Sequence, residues 1–257
     1  MILAIDIGNT NVAFGIAEGS HWKYTWRLPT MADGEALLYY EVQITNYLLE
    51  NDISSGEVEQ TVISTVVPAL RAIFEELAYR LFRIRPLVIG PDIYHRLHLK
   101  VARPSELGTD LYANAVAAHA LFQQDCIITD FGTALTFTTV NGAGELLGVS
   151  IAPGLKTAIS ALFNKTAQLP EVPLELPSSA VGKNTVHAIQ SGILIGYVGL
   201  VRHMLQVIRA ELGPQYIAIA TGGLSSILHP LKDEFYAIEP NLTLDGLRLI
   251  GEEMGKE

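Results

Sequence analysis

Two short segments of this chain have the residue types of a phosphate-binding turn. Residues 6–11 read DIGNTN and residues 130–136 read DFGTALT, each at the end of an apolar, strand-like run. A glycine-containing turn can aim several backbone N–H groups in one direction, and Thr or Asn side chains add donors, so that an anion can bind. Asp6 or Asp130 at the strand end could hold a cation, or its water shell, that bridges to phosphate oxygens.

Each of these segments alone is equally consistent with an ordinary hairpin turn, but the repetition favours binding. A third glycine-rich turn, TGG at residues 221–223, follows a continuous apolar strand-like run. Gly222 and Gly223 would let a flat adenine or its ribose approach the backbone closely. The chain has no G-x-x-x-x-G-K-[ST], G-x-G-x-x-G, HExxH or G-x-S-x-G motif, so other common nucleotide and hydrolase sites are not indicated.

The elements that must position these turns follow the same order twice. The first half predicts strands over 2–7, 12–17, 21–28, 61–65 and 86–90, with helices over 37–48, from Pro68 and over 111–122. The second half predicts strands over 127–131, 135–140, 146–151 and 216–221, with helices over 155–167, 184–212 and from about 243. Because Asp6 and Asp130 lie 124 residues apart, close to half the chain, we expect two like domains with a ligand site at their interface.

Composition excludes several classes of protein. The chain has 257 residues, 49% of them apolar and 17% charged, and its net charge of −10 argues against binding to nucleic acid or an anionic membrane. The single Cys126 is expected to be a buried small hydrophobe, which fits a reducing cytoplasm. The start MILAID reaches Asp6 too soon for a signal peptide. The longest apolar stretch, 193–201, is shorter than the roughly 20 residues of a membrane span, so no span is predicted.

Eleven short motifs in a fixed order resemble the type III pantothenate kinases, a family of the acetate and sugar kinase, Hsp70 and actin superfamily. The motifs are DIGNTN at 6–11, STVVPAL at 64–70, PSELGTD at 104–110 with NAVAA at 114–118, DFGTALT at 130–136, IAPGL at 151–155, LP at 169–170, GKNT at 182–185, SG at 191–192, TGG at 221–223 and LTLDGL at 242–247. Each turn is common in the superfamily, whereas the ordered combination is specific to the family.

The resemblance implies an α/β fold of two actin-like (ribonuclease H-like) domains, each a mixed sheet flanked by helices, with a nucleotide cleft between them. The expected domains are residues 1–115 and 116–257. It also implies a cytoplasmic homodimer that uses ATP, Mg²⁺ and a monovalent cation, K⁺ or NH₄⁺, to phosphorylate pantothenate to 4′-phosphopantothenate, the first step of coenzyme A synthesis. Neither a nucleic acid nor a membrane is an expected partner.

The resemblance assigns roles residue by residue. The nucleotide would contact Asp6, Gly8, Asn9, Thr10, Asn11, Gly132, Thr133, Gly222 and Gly223, with Asp6 serving Mg²⁺. Asp130 would hold the monovalent cation with Thr185 nearby. Pantothenate would contact Gly108, Thr109, Asp110 and Thr185, and Asp110 would be the catalytic base. The residue types alone would also allow Asp110 to be a helix N-cap.

One position departs from the family pattern. Where the family continues G-x-D with Arg, this chain has Leu111, which removes a planar set of donors from the substrate's surroundings. Arg103, Lys156, Lys165 or Lys183 could supply the charge instead. Two alternatives therefore stay open, a divergent member acting on another small hydroxy acid and a non-catalytic nucleotide-binding regulatory protein.

The predicted helix 184–212 also carries a strip of small residues. Gly192, Gly196 and Gly199 fall on neighbouring turns, which permits close approach of another element. Packing within the second domain and contact with a second subunit are equally consistent with this strip.

Overall fold

The structure is a computed structural model and describes residues 1–165, 170, 172–223 and 229–255. The chain divides into two compact units. The first consists of Met1–Ala117 together with Leu242–Glu257, and the second of Ala118–Asn241.

A five-stranded mixed sheet forms the centre of the first unit. Its strands are β1 (Ile2–Ile7), β2 (Asn11–Glu18), β3 (His21–Pro29), β4 (Gln60–Thr65) and β5 (Leu87–Val88), in the order β3-β2-β1-β4-β5. A short strand, β6, covers Lys100–Val101. β1 is antiparallel to β2 and parallel to β4. The helices are α1 (Ala36–Glu50), α2 (Pro68–Phe82) and α3 (Thr109–Phe122), and α3 ends in the second unit.

The core of the first unit follows from the periodicity of these elements. β1 is almost entirely buried, and α1 turns Tyr40, Ile44 and Leu48 inward at helical spacing. Pro68 opens α2 at a first-turn position, where its missing N–H has no intrahelical partner to lose. The predicted strands and helices of this half are confirmed, although the strand expected over 86–90 covers only Leu87–Val88.

The second unit repeats the strand order of the first. Its strands are β7 (Cys126–Phe131), β8 (Ala134–Val140), β9 (Glu145–Pro153), β10 (Ile217–Thr221) and β11 (Ala237–Ile238), which lie in the order β9-β8-β7-β10-β11. β7 is antiparallel to β8 and parallel to β10, as β1 is to β2 and β4. The two halves are therefore copies of one supersecondary unit, and Cys126 is buried as expected.

Helices of the second unit flank this sheet. They are α4 (Leu155–Lys165), α5 (Thr185–Gln190) and α6 (Gly196–Leu212), and a π-helical turn over Ser191–Ile195 joins α5 to α6. The last two residues of the helix predicted over 155–167, and Leu169 of the LP motif, lie outside the described residues.

The last helix, α7 (Leu242–Met254), belongs to the first unit, whereas the sequence placed it in the second domain. Thr243 donates from its hydroxyl to Asn114 Oδ1 of α3 at 2.8 Å, and Trp22 Nε1 of β3 donates to Asp245 Oδ1 at 2.8 Å. A Cβ on Gly246 would collide with the backbone of Ala113, so glycine is required where α7 meets α3. These contacts explain why α7 lies with β1 and α3.

Within the described residues, the continuous helix Thr185–Leu212 is long and apolar enough to cross a membrane by length and composition. A single helix of this kind is weak evidence of a span, because core helices of globular proteins pass the same test. Its three glycines, Gly192, Gly196 and Gly199, are exposed, and a Cβ on any of them would meet open space. The small-residue strip is therefore not required for packing inside the described chain.

Candidate functional site

The first predicted phosphate turn joins β1 to β2 and is tightly pinned. Gly8 N donates to Asn11 O at 3.0 Å, and a Cβ on Gly8 would lie 3.0 Å from the same oxygen. Thr30 closes the turn from outside, because its hydroxyl donates to Gly8 O at 2.7 Å and its amide to Thr10 O at 3.0 Å. Asn9, Thr10 and Asn11 are exposed. The turn thus presents its side chains to solvent from a fixed backbone.

Asp6 lies beside this turn, at the end of β1. It is half-buried and pairs in parallel register with Ser64 of β4. Because cross-strand neighbours project from the same face of a sheet, Asp6 and Ser64 lie side by side. A carboxylate therefore stands next to the glycine turn, as the sequence predicts.

The start of α3 is attached to the end of β4 through Thr109. Its hydroxyl lies 2.8 Å from Ser64 Oγ and donates to Thr65 O at 3.3 Å. Ser64 is fully buried and Thr109 is half-buried, so the bond is partly shielded from water. The side chain of Thr109 is thus engaged with β4, and what it can offer a substrate is chiefly its backbone.

Asp110 lies in the first turn of α3, one residue after the helix begins. Its Oδ1 accepts a hydrogen bond from the Leu111 amide at 2.8 Å, and a Cβ on Gly108 would lie 2.5 Å from that oxygen. The carboxylate bonds the adjacent amide rather than an amide two or three residues on, so Asp110 is not the N-cap that its residue type allowed. Burial raises the pKa of the Asp110 carboxyl above its ordinary value, and the backbone hydrogen bonds oppose this shift only in part.

A buried aromatic pair lies near this carboxyl. The rings of Tyr94 and Tyr112 stack with centroids 3.8 Å apart, and neither hydroxyl has a hydrogen-bond partner in the described part of the chain. Burial, and then the charge of Asp110, raise the pKa of Tyr94 well above its ordinary range. The neighbourhood of Asp110 is therefore largely desolvated.

Leu111 places no charge beside Asp110, and its Cγ would lie 3.8 Å from a Cβ on Gly108. The nearby Arg103 is exposed, and its Nη1 lies 3.4 Å from Glu106 Oε2. That arginine is thus engaged in a surface ion pair with its own helical turn.

The second predicted phosphate turn, in the second unit, has the same construction. Gly132 N donates to Ala134 O at 3.0 Å, across a turn that is one residue shorter than the first. Gly154 N donates to Thr133 O at 2.9 Å, and the Thr157 hydroxyl donates to the same oxygen at 2.7 Å. A Cβ on Gly154 would collide with the carbonyl oxygens of Gly132 and Thr133. Gly132 and Thr133 are exposed on this fixed backbone.

Asp130 and Gly222 meet at the parallel pair β7–β10. Asp130 is in register with Thr221, and Gly222 follows with φ +91°, a conformation that favours glycine. A Cβ on Gly222 would lie 2.6 Å from Asp130 Oδ1. Gly223 is the next residue and is exposed. The structure thus brings the second carboxylate and the TGG turn together.

Thr185 lies at the start of α5 and is exposed. Asn184 caps this helix, because its Oδ1 accepts from the His187 amide at 2.9 Å. His187 Nε2 lies 3.1 Å from Ser179 O, which holds the preceding loop against the helix.

Among the described residues no group of three or more His, Cys, Asp or Glu side chains could hold a metal ion. A Mg²⁺ ion bound with a polyphosphate usually takes one or two carboxylates and completes its shell with phosphate oxygens and water. Asp6 beside the first turn fits that requirement.

Sequence reasoning missed residues that support the two turns and the start of α3. No local pattern pointed to Thr30, because the residue it bonds, Gly8, lies 22 positions away in the chain. Ser64 and Gly154 lay inside quoted motifs, STVVPAL and IAPGL, without an assigned role.

Comparison with known proteins addresses the family directly. The family model described as type III pantothenate kinase matches residues 2–207. The type III pantothenate kinase of Thermomicrobium roseum is 41% identical over 254 residues, covering 99% of this chain and 98% of that protein. The one from Dehalococcoides mccartyi strain CBDB1 is 40% identical over 249 residues, covering 97% and 94%.

Solved structures support the fold. A Baf family protein from Campylobacter jejuni covers 99% of this chain and 100% of its own, with TM-score 0.63 and 18% identity. Component A of the (R)-2-hydroxyglutaryl-CoA dehydratase from Acidaminococcus fermentans covers 100% and 99%, with TM-score 0.56 and 12% identity. At such identities the likeness concerns the fold alone, and it agrees with the actin-like, ribonuclease H-like class expected from the sequence.

The match over most of the chain, relatives at about 40% identity and the twice-repeated strand order all point to the same conclusion: this chain belongs to the type III pantothenate kinase family.

Proposed function

We propose that the protein catalyses the ATP-dependent phosphorylation of pantothenate to 4′-phosphopantothenate, the first step of coenzyme A synthesis. Family membership supports the reaction, and the observation that carries it on this chain is the half-buried Asp110 at the start of α3. A raised carboxyl pKa makes Asp110 a stronger proton acceptor, closer to the value that suits general base catalysis near neutral pH.

The chemistry requires one proton acceptor and an in-line arrangement. The hydroxyl oxygen of pantothenate forms a bond to the γ-phosphorus of ATP, the bond from that phosphorus to the β,γ-bridging oxygen breaks, and ADP leaves. The hydroxyl proton passes to the Asp110 carboxylate. The backbone of Gly108 and Thr109, with Thr185, is assigned to hold the substrate.

The two glycine turns are assigned to the nucleotide. Amides and side chains of Gly8, Asn9, Thr10 and Asn11, and those of Gly132 and Thr133, suit phosphate oxygens because each turn has a rigid backbone and exposed donors. Gly222 and Gly223 are assigned to adenosine, since the glycine backbone there leaves no side chain in the way.

Cations are assigned to the two strand-end carboxylates. Mg²⁺, held by Asp6 and the phosphates, would neutralise charge on the transferring group. A monovalent cation, K⁺ or NH₄⁺, would lie at Asp130 with Thr185 nearby. We further propose a cytoplasmic homodimer that binds neither nucleic acid nor membrane. The net charge of −10 argues against binding to nucleic acid or an anionic membrane. The exposed Gly192, Gly196 and Gly199 would allow a second copy of the chain to approach closely.

The direct test is an assay of the purified protein with ATP and Mg²⁺, with and without K⁺, against pantothenate and a panel of small hydroxy acids. ADP release and the mass of the phosphorylated product are measured. Formation of 4′-phosphopantothenate, stimulated by K⁺, is expected. Absence of product with pantothenate in both conditions would contradict the proposal.

A second candidate, a kinase for another small hydroxy acid, is favoured by Leu111. Under that alternative the Leu111→Arg variant gains nothing with pantothenate, while another acid in the panel is phosphorylated by the wild type. An increase of kcat/KM for pantothenate in Leu111→Arg would instead favour pantothenate as the family substrate of this site.

A further inference from the structure

The start of α3 is held to β4 by one chain of hydroxyl groups. Thr109 Oγ1 donates to Thr65 O at 3.3 Å, and each hydroxyl has a single proton. The 2.8 Å contact between Ser64 Oγ and Thr109 Oγ1 then has Ser64 as its donor. The order of donation is Ser64 to Thr109 to the Thr65 carbonyl.

This chain of hydroxyls lies between Asp6 and Asp110, the two carboxylates of the first unit that are assigned to the site. Ser64 is in register with Asp6 across the parallel β1–β4 pair, and Thr109 directly precedes Asp110. Ser64 is fully buried, which limits the access of water to its end of the bond. These bonds therefore fix Thr109, the residue before Asp110, relative to the end of the β1–β4 pair.

We propose that Ser64 is a positioning residue, which holds Thr109 and so fixes the Asp110 carboxyl relative to Asp6. The inference rests on the proposed function, since it concerns the base of that reaction. Ser64 acts through Thr109 and touches no substrate atom in this role.

Two further contacts make the position of Asp110 sensitive to this anchor. Its Oδ1 accepts from the Leu111 amide at 2.8 Å, and the missing side chain of Gly108 leaves room for that oxygen. The carboxyl therefore moves with the backbone of residues 108–111. A misplacement of about 1 Å can lower a rate by roughly 10²-fold, so a small shift of this backbone has a measurable cost.

The test uses Ser64→Ala, Thr109→Val and the double variant, with Thr109→Ser as the conservative replacement. We expect kcat to fall about 10- to 100-fold in each single variant, with little change in the KM for ATP. The double variant should be no worse than the poorer single one, because both remove the same bond. Thr109→Ser keeps the hydroxyl and should restore most of kcat.

Thr61 provides a matched control on the same strand. It is also fully buried, and its hydroxyl has no hydrogen-bond partner among the described residues. Thr61→Val removes a buried hydroxyl of β4 without breaking a bond, so kcat should stay within about two-fold of the wild type. An equal loss of kcat in Thr61→Val, or an unchanged kcat in Ser64→Ala, would overturn the inference.

A second measurement does not depend on the substrate. Amide hydrogen exchange at Leu111 and Tyr112, followed by NMR, should be faster in Ser64→Ala and unchanged in Thr61→Val, because the first turn of α3 loses its anchor only in the former. Unchanged exchange in Ser64→Ala contradicts the inference for any substrate. A wild type that is inactive with pantothenate contradicts the proposed function alone.

Discussion

Among single residues, Asp110 has the environment that distinguishes a base from a surface carboxylate. Two features accompany it: the missing side chain of Gly108 leaves room for the carboxyl, and the buried rings of Tyr94 and Tyr112 stack nearby. Burial is the largest cause of the raised pKa. A raised pKa is also what the proposed role of Asp110 as a base requires.

Replacing this carboxyl should separate catalysis from nucleotide binding. Asp110→Asn is expected to lower kcat by about 10²- to 10⁴-fold, because the amide cannot accept the proton. The Kd for ATP should stay within about three-fold, since Asp110 is assigned to the acceptor hydroxyl. Steady-state kinetics and calorimetric titration with ATP measure the two quantities, and unchanged turnover would remove Asp110 from its role.

The same variant should change the pH dependence of stability. Folding raises the pKa of Asp110 above its ordinary value of 3.8, because the ionised carboxylate is disfavoured by burial. The contribution of Asp110 to the free energy of unfolding is therefore most favourable at low pH and declines as the pH rises through the raised pKa. Asp110→Asn removes that loss, so its Tm should exceed that of the wild type at neutral pH and match it below about pH 4. Thermal unfolding followed by circular dichroism across this range checks the sign.

Gly222 has a backbone conformation that limits substitution in the TGG turn. An alanine would be strained at φ +91°, and its Cβ would lie 2.6 Å from Asp130 Oδ1. Gly222→Ala should therefore lower the free energy of unfolding by about 1–3 kcal/mol and raise the KM for ATP. Gly148→Ala, at a half-buried position of β9 where a Cβ meets nothing within 4 Å, is the control and should change neither. Equal behaviour of the two variants would show that the close approach has no consequence.

Among the elements, the parallel strand pairs β1–β4 and β7–β10 place the two carboxylates that are assigned to cations. Each pair ends in a carboxylate on one strand and a polar or glycine segment on the other, Asp6 with Ser64 and Asp130 with Thr221. Parallel strands end at the same edge of a sheet, so residues far apart in sequence meet there. Duplication of this unit explains why the chain has two such edges.

Helix α7 packs against α3 at two positions. Gly246 contacts the backbone of Ala113, and Thr243 bonds Asn114 at 2.8 Å, both in the helix that begins beside Asp110. Gly246→Ala should push the helices apart and lower the free energy of unfolding by about 1–3 kcal/mol, with a fall in kcat.

Gly34→Ala is the control for this variant, since Gly34 is exposed before α1 and a Cβ there meets nothing. Chemical denaturation and kinetics of the two variants give the comparison. A Gly246→Ala protein as stable as Gly34→Ala would mean that α7 and α3 can separate without cost.

For the whole molecule, the exposed strip on the helix Thr185–Leu212 bears on assembly. Gly192, Gly196 and Gly199 have no neighbour within the described chain that requires glycine. Sedimentation equilibrium of the wild type should give about twice the chain mass of 27.9 kDa. Gly196→Trp should shift the mass toward a single chain, while Gly34→Trp, with the same added bulk elsewhere, should not. A wild type that sediments as one chain would contradict the dimer, and a dimeric Gly196→Trp would place the contact elsewhere.

The strands, the two glycine turns and the carboxylates before them could be predicted from the sequence, because each is a local pattern, whereas the order of the strands in each sheet could not. Apolar runs ending in D-x-G specify a strand and the turn that follows, and a helix such as α1 is specified by its own 3.6-residue period. Two-residue strands such as β6 and β11 carry no period and were not predicted.

Contacts between residues distant in the chain became known only from the packed fold. The bond from Ser64 to Thr109 spans 45 residues and that from Thr243 to Asn114 spans 129, and neither follows from a local pattern. For the same reason α7 lies with the first unit, and Asp110 is desolvated rather than a helix cap. Local propensity fixes which segments become strands and helices, whereas burial and hydrogen bonding between them are settled only when the chain packs.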